Sequence, residues 1–298
     1  MYQTLVVPTD GNEHAERAAE HALNIARVFD ATVHLVNVVD MQSEAGLFSA
    51  GGVTEQFRER LEDEARETIS DVEDLAEPGD DVRTAVVEGK PSKGILDYAD
   101  ENDADIVFMG THGRTGLDRY VTGSVTERVA RQSDVPVFTV RATERSVVSD
   151  GYDRVLIPTD GSDCAAVAVA HGIAIAEKYD ATVHAVNVAD VRAVTGSDDL
   201  PPHTELLERL EEGGEDATEA VAERAREVGL DASTAVLDGV PARGLREYAE
   251  EHDIDLITMG THGRSGFERY FIGSTTTKVV RAAEMPVLSV RSSASDEE

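Results

Sequence analysis

The chain has no tryptophan, one cysteine and only four lysines, Lys90, Lys93, Lys178 and Lys278, among its 298 residues. A lone thiol, Cys164, cannot close an internal disulfide, so it reads as a small apolar filler on a helix. No apolar run approaches the ~18 residues that a membrane span needs. The first residues, Met1-Tyr2-Gln3-Thr4, lack the basic start and apolar core of a signal peptide. The expectation is a soluble cytoplasmic protein with no membrane partner. Basic residues are scarce as well: 27 Lys+Arg stand against 59 Asp+Glu, for a formal net charge of −32. Nucleic acid binding needs clustered cations to neutralise phosphates, which excludes a nucleic acid partner from the expectation. The acids are spread over helix faces rather than gathered in one tail. That distribution suits a halophile's high internal salt, where the Debye length falls to ~3 Å at 1 M and self-repulsion is screened.

What the chain does have is a repeat of 150 residues. Asp30-Ala-Thr-Val-His-Leu-Val-Asn-Val38 returns as Asp180-Ala-Thr-Val-His-Ala-Val-Asn-Val188. Met109-Gly-Thr-His-Gly-Arg114 returns unchanged as Met259-Gly-Thr-His-Gly-Arg264, and Pro136-Val-Phe-Thr-Val-Arg141 returns as Pro286-Val-Leu-Ser-Val-Arg291. A period this long is a whole domain rather than a solenoid unit. The expected division is a first domain over 1–142, a polar linker over 143–152, a second domain over 153–292 and an acidic tail over 293–298.

Within each copy, strand and helix patterns alternate. Leu5-Val6-Val7-Pro8 predicts a buried strand, and Ala15, Ala18, Ala19, Ala22, Leu23 and Ala26 predict one face of a helix. Copy two repeats that stripe with Ala165, Ala168, Val169, Gly172, Ile173 and Ala176. Strands are then expected at 33–38, 82–87, 106–109 and 136–140, with helices at 54–76, 92–102 and 124–132. Apolar strands alternating with helices imply an α/β fold, a parallel sheet covered on both faces. Right-handed crossovers make a doubly wound, five-stranded sheet the simplest topology for each copy.

In such sheets ligands bind beyond the carboxyl ends of the strands, where the winding reverses. The candidate loops are Pro8-Thr9-Asp10-Gly11 after strand one and Met109-Gly110 through Gly113-Arg114 to Gly123-Ser124 after strand four. Copy two supplies Pro158-Thr159-Asp160-Gly161 and Met259-Gly260 through Gly263-Arg264 to Gly273-Ser274. Glycines let backbone N–H groups approach a ligand, and the helix opening at Ser124 adds the positive end of its dipole, a combination suited to phosphate. Arg114 and Arg264 are candidate phosphate partners. Neither GxxxxGK[ST] nor a GxGxxG after strand one is present, which removes the common NTPase and dinucleotide readings.

Gly110-x2-Gly113-x9-Gly123-Ser124 and Gly260-x2-Gly263-x9-Gly273-Ser274, each with its Pro-Thr-Asp loop, resemble the signature of the ATP-binding branch of the universal stress protein family. The resemblance runs nearly the length of the chain, twice. It implies tandem Rossmann-like domains of the adenine nucleotide alpha hydrolase-like kind and one ATP per domain. By resemblance, Asp10 and Asp160 contact the ribose or adenine end, and Val38 and Val188 offer main chain to the adenine edge. Gly110, Gly113, Gly123, Ser124, Val125 and Thr126 wrap and bind the triphosphate, as do Gly260, Gly263, Gly273, Ser274, Thr275 and Thr276. Mg²⁺ or Mn²⁺ would be held by phosphates and water, so no protein metal site is expected. The family also implies pairing of the last strands, hence an internal pseudo-dimer of the two domains and a possible homodimer of chains.

Other readings of the same residues stay open. Asp10 with Glu13, and Ser124 with Glu127, both fit a helix capping box. His112 and His262 sit between loop glycines and invite a slow ATP hydrolase or adenylyl transferase, but no orienting partner is assignable. His34 and His184 read as sheet-face residues. Met41 to Arg60 and Val191 to Leu210 share almost nothing and overhang the adenine side, where they suit a lid.

Overall fold

The computed structural model describes residues 1–45, 54–111, 123–190, 203–261 and 273–291. The chain divides into two units, Met1–Ser149 and Asp150–Glu298.

In the first unit β1 (Thr4–Pro8) leads to α1 (Glu13–Phe29) and β2 (Thr32–Val39); then come α2 (Met41–Ala45), α3 (Glu55–Glu73), β3 (Val82–Glu88), α4 (Pro91–Glu101), β4 (Ile106–Gly110), α5 (Ser124–Gln132) and β5 (Val137–Val140). The strands pair in parallel in the order β3-β2-β1-β4-β5. Leu5, Val6 and Val7 of the central strand are fully buried. All six residues of the anticipated α1 stripe are buried, because small side chains let that helix lie close to the sheet. The helix ends where Asp30 adopts φ 56°, a left-handed cap that a short polar side chain tolerates.

The second unit repeats the plan: β6 (Arg154–Pro158), α6 (Asp163–Tyr179), β7 (Thr182–Ala189), α7 (His203–Glu227), β8 (Ala232–Asp238), α8 (Pro241–Glu251), β9 (Leu256–Gly260), α9 (Ser274–Ala282) and β10 (Val287–Val290). Its parallel order is β8-β7-β6-β9-β10. Within α6, Gly172 lies close on the sheet, where a Cβ would stand 2.7 Å from Ile157 Cδ1; Ala22 holds the counterpart position in α1. The cores differ beside it. Phe108 and Phe138 stack at 4.7 Å in the first unit, whereas Thr258 and Leu288 hold those positions in the second.

Two features depart from the expected plan. The short α2 was not foreseen; Asp40 Oδ1 accepts from Gln42 N and Ser43 N, each at 3.1 Å, and Met41 is buried. The polar stretch expected as a linker is packed: Ser146 is buried and shares a capping box with Thr143, and its carbonyl accepts from His21 Nε2 at 2.8 Å. Tyr152, at the other end, is buried edge-on against Tyr179. Among the described residues no helix is long and apolar enough to cross a membrane. The acidic tail 293–298 lies outside the described residues, as do 46–53 of the first anticipated lid and 191–202 of the second.

Candidate functional site

From β1 the winding runs outward through β2 and β3, then returns to place β4 and β5 on the other side. The reversal falls between β1 and β4, the place where parallel sheets open a crevice beyond the strand ends. Three chain segments border it in each unit: the turn after β1, the end of β2 and the junction from β4 into α5.

The turn after β1 is fixed at Thr9. Its N–H donates to Val36 O at 2.9 Å, its Oγ1 accepts from Gly11 N at 3.1 Å, and its carbonyl accepts from Asn37 Nδ2 at 2.8 Å. Gly11 has φ 76°, which lets the chain reverse. Asp10 does not cap α1. The N-cap is Asn12, whose Oδ1 accepts from His14 N at 2.8 Å and Ala15 N at 3.0 Å, while Asp10 Oδ1 accepts from Asn12 N and Nδ2. In the second unit Ser162 is the cap and Asp160 Oδ1 accepts from Ser162 N at 3.0 Å. The capping-box reading of Asp10 with Glu13 therefore fails: the two-residue turn moves the cap downstream and leaves Asp10 half-buried at its apex.

At the end of β2, hydrogen-bond parity directs the backbone. Residues of a parallel strand send N–H and C=O alternately to the two neighbours. Val36 O serves the β1 side through Thr9, and Val39 O serves the β3 side through Gly89 N at 3.0 Å. Val38 N–H and C=O thus point to the β1 side, beyond Pro8, where the β1 ladder ends. Val188 is placed identically, between Val186 O to Thr159 N at 2.9 Å and Ala189 O to Gly239 N at 3.0 Å. The Val38 side chain turns instead to α4, where a Cβ on Gly94 would meet its Cγ1 at 2.7 Å.

The junction from β4 into α5 is a two-bond neck. Gly123 N donates to Thr111 O at 2.5 Å, and Thr126 Oγ1 donates to Gly110 O at 2.6 Å. The second unit gives 2.6 Å for Gly273 to Thr261 and 2.8 Å for Thr276 to Gly260. Thr126 and Thr276, expected to bind phosphate oxygens, are buried and commit their hydroxyl protons to this neck. Gly110 is required by packing, since a Cβ there would come within 2.8 Å of Ala15 N.

Helix α5 then opens with Gly123 at the N-cap and, among the described residues, no side-chain cap, and α9 opens the same way from Gly273. Ser124 and Ser274 are exposed at the first helical position, so the capping-box reading of Ser124 with Glu127 fails too. The first intrahelical bonds are Glu127 N to Gly123 O at 2.9 Å and Thr277 N to Gly273 O at 3.0 Å. The amides of Ser124 to Thr126 and Ser274 to Thr276 precede them and have no carbonyl within the helix. They carry the positive end of the helix dipole to the crevice mouth.

Gly113, Arg114, Gly263, Arg264, His112 and His262 lie outside the described residues. His34 and His184 are buried sheet-face residues, each with Nδ1 3.0 Å from a tyrosine Oη, of Tyr98 or Tyr248; burial first of all lowers both pKa values. Cys164 is buried on α6, with its Sγ 3.9 Å from Val290 O. Its counterpart His14 accepts from Ala142 N at 2.8 Å through Nδ1, which leaves the ring hydrogen of the neutral form on Nε2. Among the described residues no three His, Cys, Asp or Glu side chains gather as a metal site. Sequence reasoning missed Asn37 and Asn187; their signal was a carboxamide recurring at the same place in two apolar strands.

The model of the Universal stress protein family matches residues 1–141 and 151–291. A universal stress protein of Methanocaldococcus jannaschii is 40% identical over 146 residues, 49% of this chain and 85% of that one. One of Mycobacterium tuberculosis is 26% identical over 302 residues, 97% of each chain. The crystal structure of a universal stress protein from Archaeoglobus fulgidus superposes with a TM-score of 0.70 at 20% identity, covering 98% of this chain and 97% of that one, a likeness of fold.

Proposed function

As the chain belongs to the universal stress protein family, we propose that each of its two domains binds one ATP, and that the protein acts as a nucleotide-binding regulatory module of the stress response. The observation that carries this reading is the uncapped start of α5, repeated in α9, at the mouth of a crevice whose opposite wall is the directed backbone of Val38 or Val188. The triphosphate lies on the amides of Ser124, Val125 and Thr126, or of Ser274, Thr275 and Thr276, with the hydroxyl of Ser124 or Ser274 beside them. Val38 and Val188 meet the adenine edge, and Asp10 and Asp160 the ribose. Gly113, Arg114, Gly263 and Arg264 close on the phosphates, a role that rests on the family resemblance alone. Mg²⁺ or Mn²⁺ travels with the phosphates. Occupancy orders the loop that starts at Thr111 or Thr261, and a partner reads the ordered surface.

The same resemblance extends the proposal to assembly: the two domains associate through their last strands as a pseudo-dimer, and chains pair further as homodimers. Titration calorimetry with ATP in roughly 2–3 M KCl, enough to screen the charge, tests the binding. Two saturable sites per chain are expected, and absence of any saturable signal overturns the reading.

A further inference from the structure

We propose that Asn37 and Asn187 are positioning residues that lock the Asp10 and Asp160 turns onto the strand that offers its main chain to the base, an inference that rests on the function proposed above. The β1–β2 ladder stops at Pro8 opposite Val36. Past that point the turn hangs on Thr9, whose N–H is held by Val36 O at 2.9 Å and whose carbonyl is held by Asn37 Nδ2 at 2.8 Å. Thr159 is held the same way, at 2.9 Å by Val186 O and 2.7 Å by Asn187 Nδ2. Consecutive residues of one strand therefore grip the ribose-side turn and, at Val38 or Val188, face the base. The carboxamide sets the spacing between those two contacts.

Only a neutral donor fits here. An aspartate of the same shape would set a carboxylate oxygen against the Thr9 carbonyl, and an aliphatic side chain would leave that carbonyl without its donor. In the second domain a helix also backs the amide. A Cβ on Gly214 of α7 would stand 2.7 Å from Asn187 Oδ1, so the helix passes close beside the carboxamide and glycine leaves it room.

The test is calorimetry of the whole chain with ATP and, separately, ADP, for wild type, Asn37→Asp and Asn187→Asp, the unaltered site serving as internal reference. At the altered site both nucleotides are expected to bind ~10-fold more weakly, about 1.4 kcal/mol. The ADP-to-ATP affinity ratio stays unchanged there, because the phosphate end is untouched, and the other site keeps its affinity. Unchanged ATP affinity at the altered site overturns the proposal. So does a changed ADP-to-ATP ratio, which marks general loosening of the domain. Should Asn37→Asp unfold its domain, Asn37→Ala at this half-buried position is read by the same two criteria. A wild type that binds neither nucleotide removes the functional reading itself; a wild type that binds, with variants indistinguishable from it, removes only the role of the asparagines.

Discussion

Replacing Gly110 by alanine separates two reasons for a glycine at the end of β4. A Cβ built there lies 2.8 Å from Ala15 N, 2.8 Å from the His14 carbonyl carbon and 3.0 Å from His14 Cβ. Carbon contacts are most favourable near 3.5–4.0 Å, so the overlap amounts to more than half an ångström against helix backbone that cannot rotate aside. Relief requires moving the first turn of α1, which strains the Asn12 cap and the bond from Ala142 N to His14 Nδ1. Overpacking of this kind costs about 1–3 kcal/mol. At Gly260 the nearest atoms are Cys164 O and Sγ, both at 3.0 Å, and Cys164 C at 3.2 Å; the thiol can turn away, and the backbone contacts that remain are longer than the 2.8 Å ones at Gly110. Gly260→Ala should therefore cost less, at the low end of that range, about 1 kcal/mol. Urea denaturation without nucleotide reads both values. If Gly110→Ala is as stable as wild type, or if Gly260→Ala is the more damaging, the glycine is not there for packing and the neck has been misread.

Burial, with Arg17 adding, lowers the His21 pKa from 6.5 to about 4 although the Ser146 carbonyl favours the charged form. The folded state keeps this ring neutral while the unfolded chain takes up a proton below pH 6.5. Stability is thus intact above pH 6.5 and lost as pH falls to about 4, by up to about 3 kcal/mol. His21→Gln should flatten that part of the pH profile of urea unfolding, and an unaltered profile contradicts the assignment. Thr258 Oγ1 is fully buried with no hydrogen-bond partner among the described residues, so Thr258→Val should raise the urea midpoint, by about 1 kcal/mol of stability; a lowered midpoint refutes the orphaned hydroxyl. Ser124 is exposed and caps nothing, so Ser124→Ala should leave stability within about 0.5 kcal/mol of wild type while weakening ATP at the first site. A loss of about 1 kcal/mol, the size of a missing N-cap, would restore the capping role.

Strand and helix positions were legible because apolar periodicity is a local property. The expected strand at 82–87 and helix at 124–132 emerged as Val82–Glu88 and Ser124–Gln132. The stripe from Ala15 to Ala26 was buried throughout. The candidate site was legible as a set of loops, since glycines and an acidic turn recur at strand ends in both copies. Its hydrogen bonds were less legible. Asp10 and Ser124 match a capping motif by spacing, yet the caps fall at Asn12, two residues further on, and at Gly123, one residue back. The direction of Thr126, inward to Gly110 O, depends on where β4 ends beside α5. The steric demand at Gly110 comes from α1, far away in sequence, and the grip of Asn37 on Thr9 crosses between strands. Segment 143–152 looked like a linker because it is polar, but a buried histidine on α1 holds the Ser146 carbonyl within it.

Hydrogen–deuterium exchange with and without ATP, read at single-residue resolution, tests the two-site account most directly. Saturating ATP should slow exchange at the amides of Ser124 to Thr126, Ser274 to Thr276, Val38 and Val188, with both domains responding. Unchanged rates at both helix starts, with protection absent or appearing elsewhere on the molecule, would contradict it.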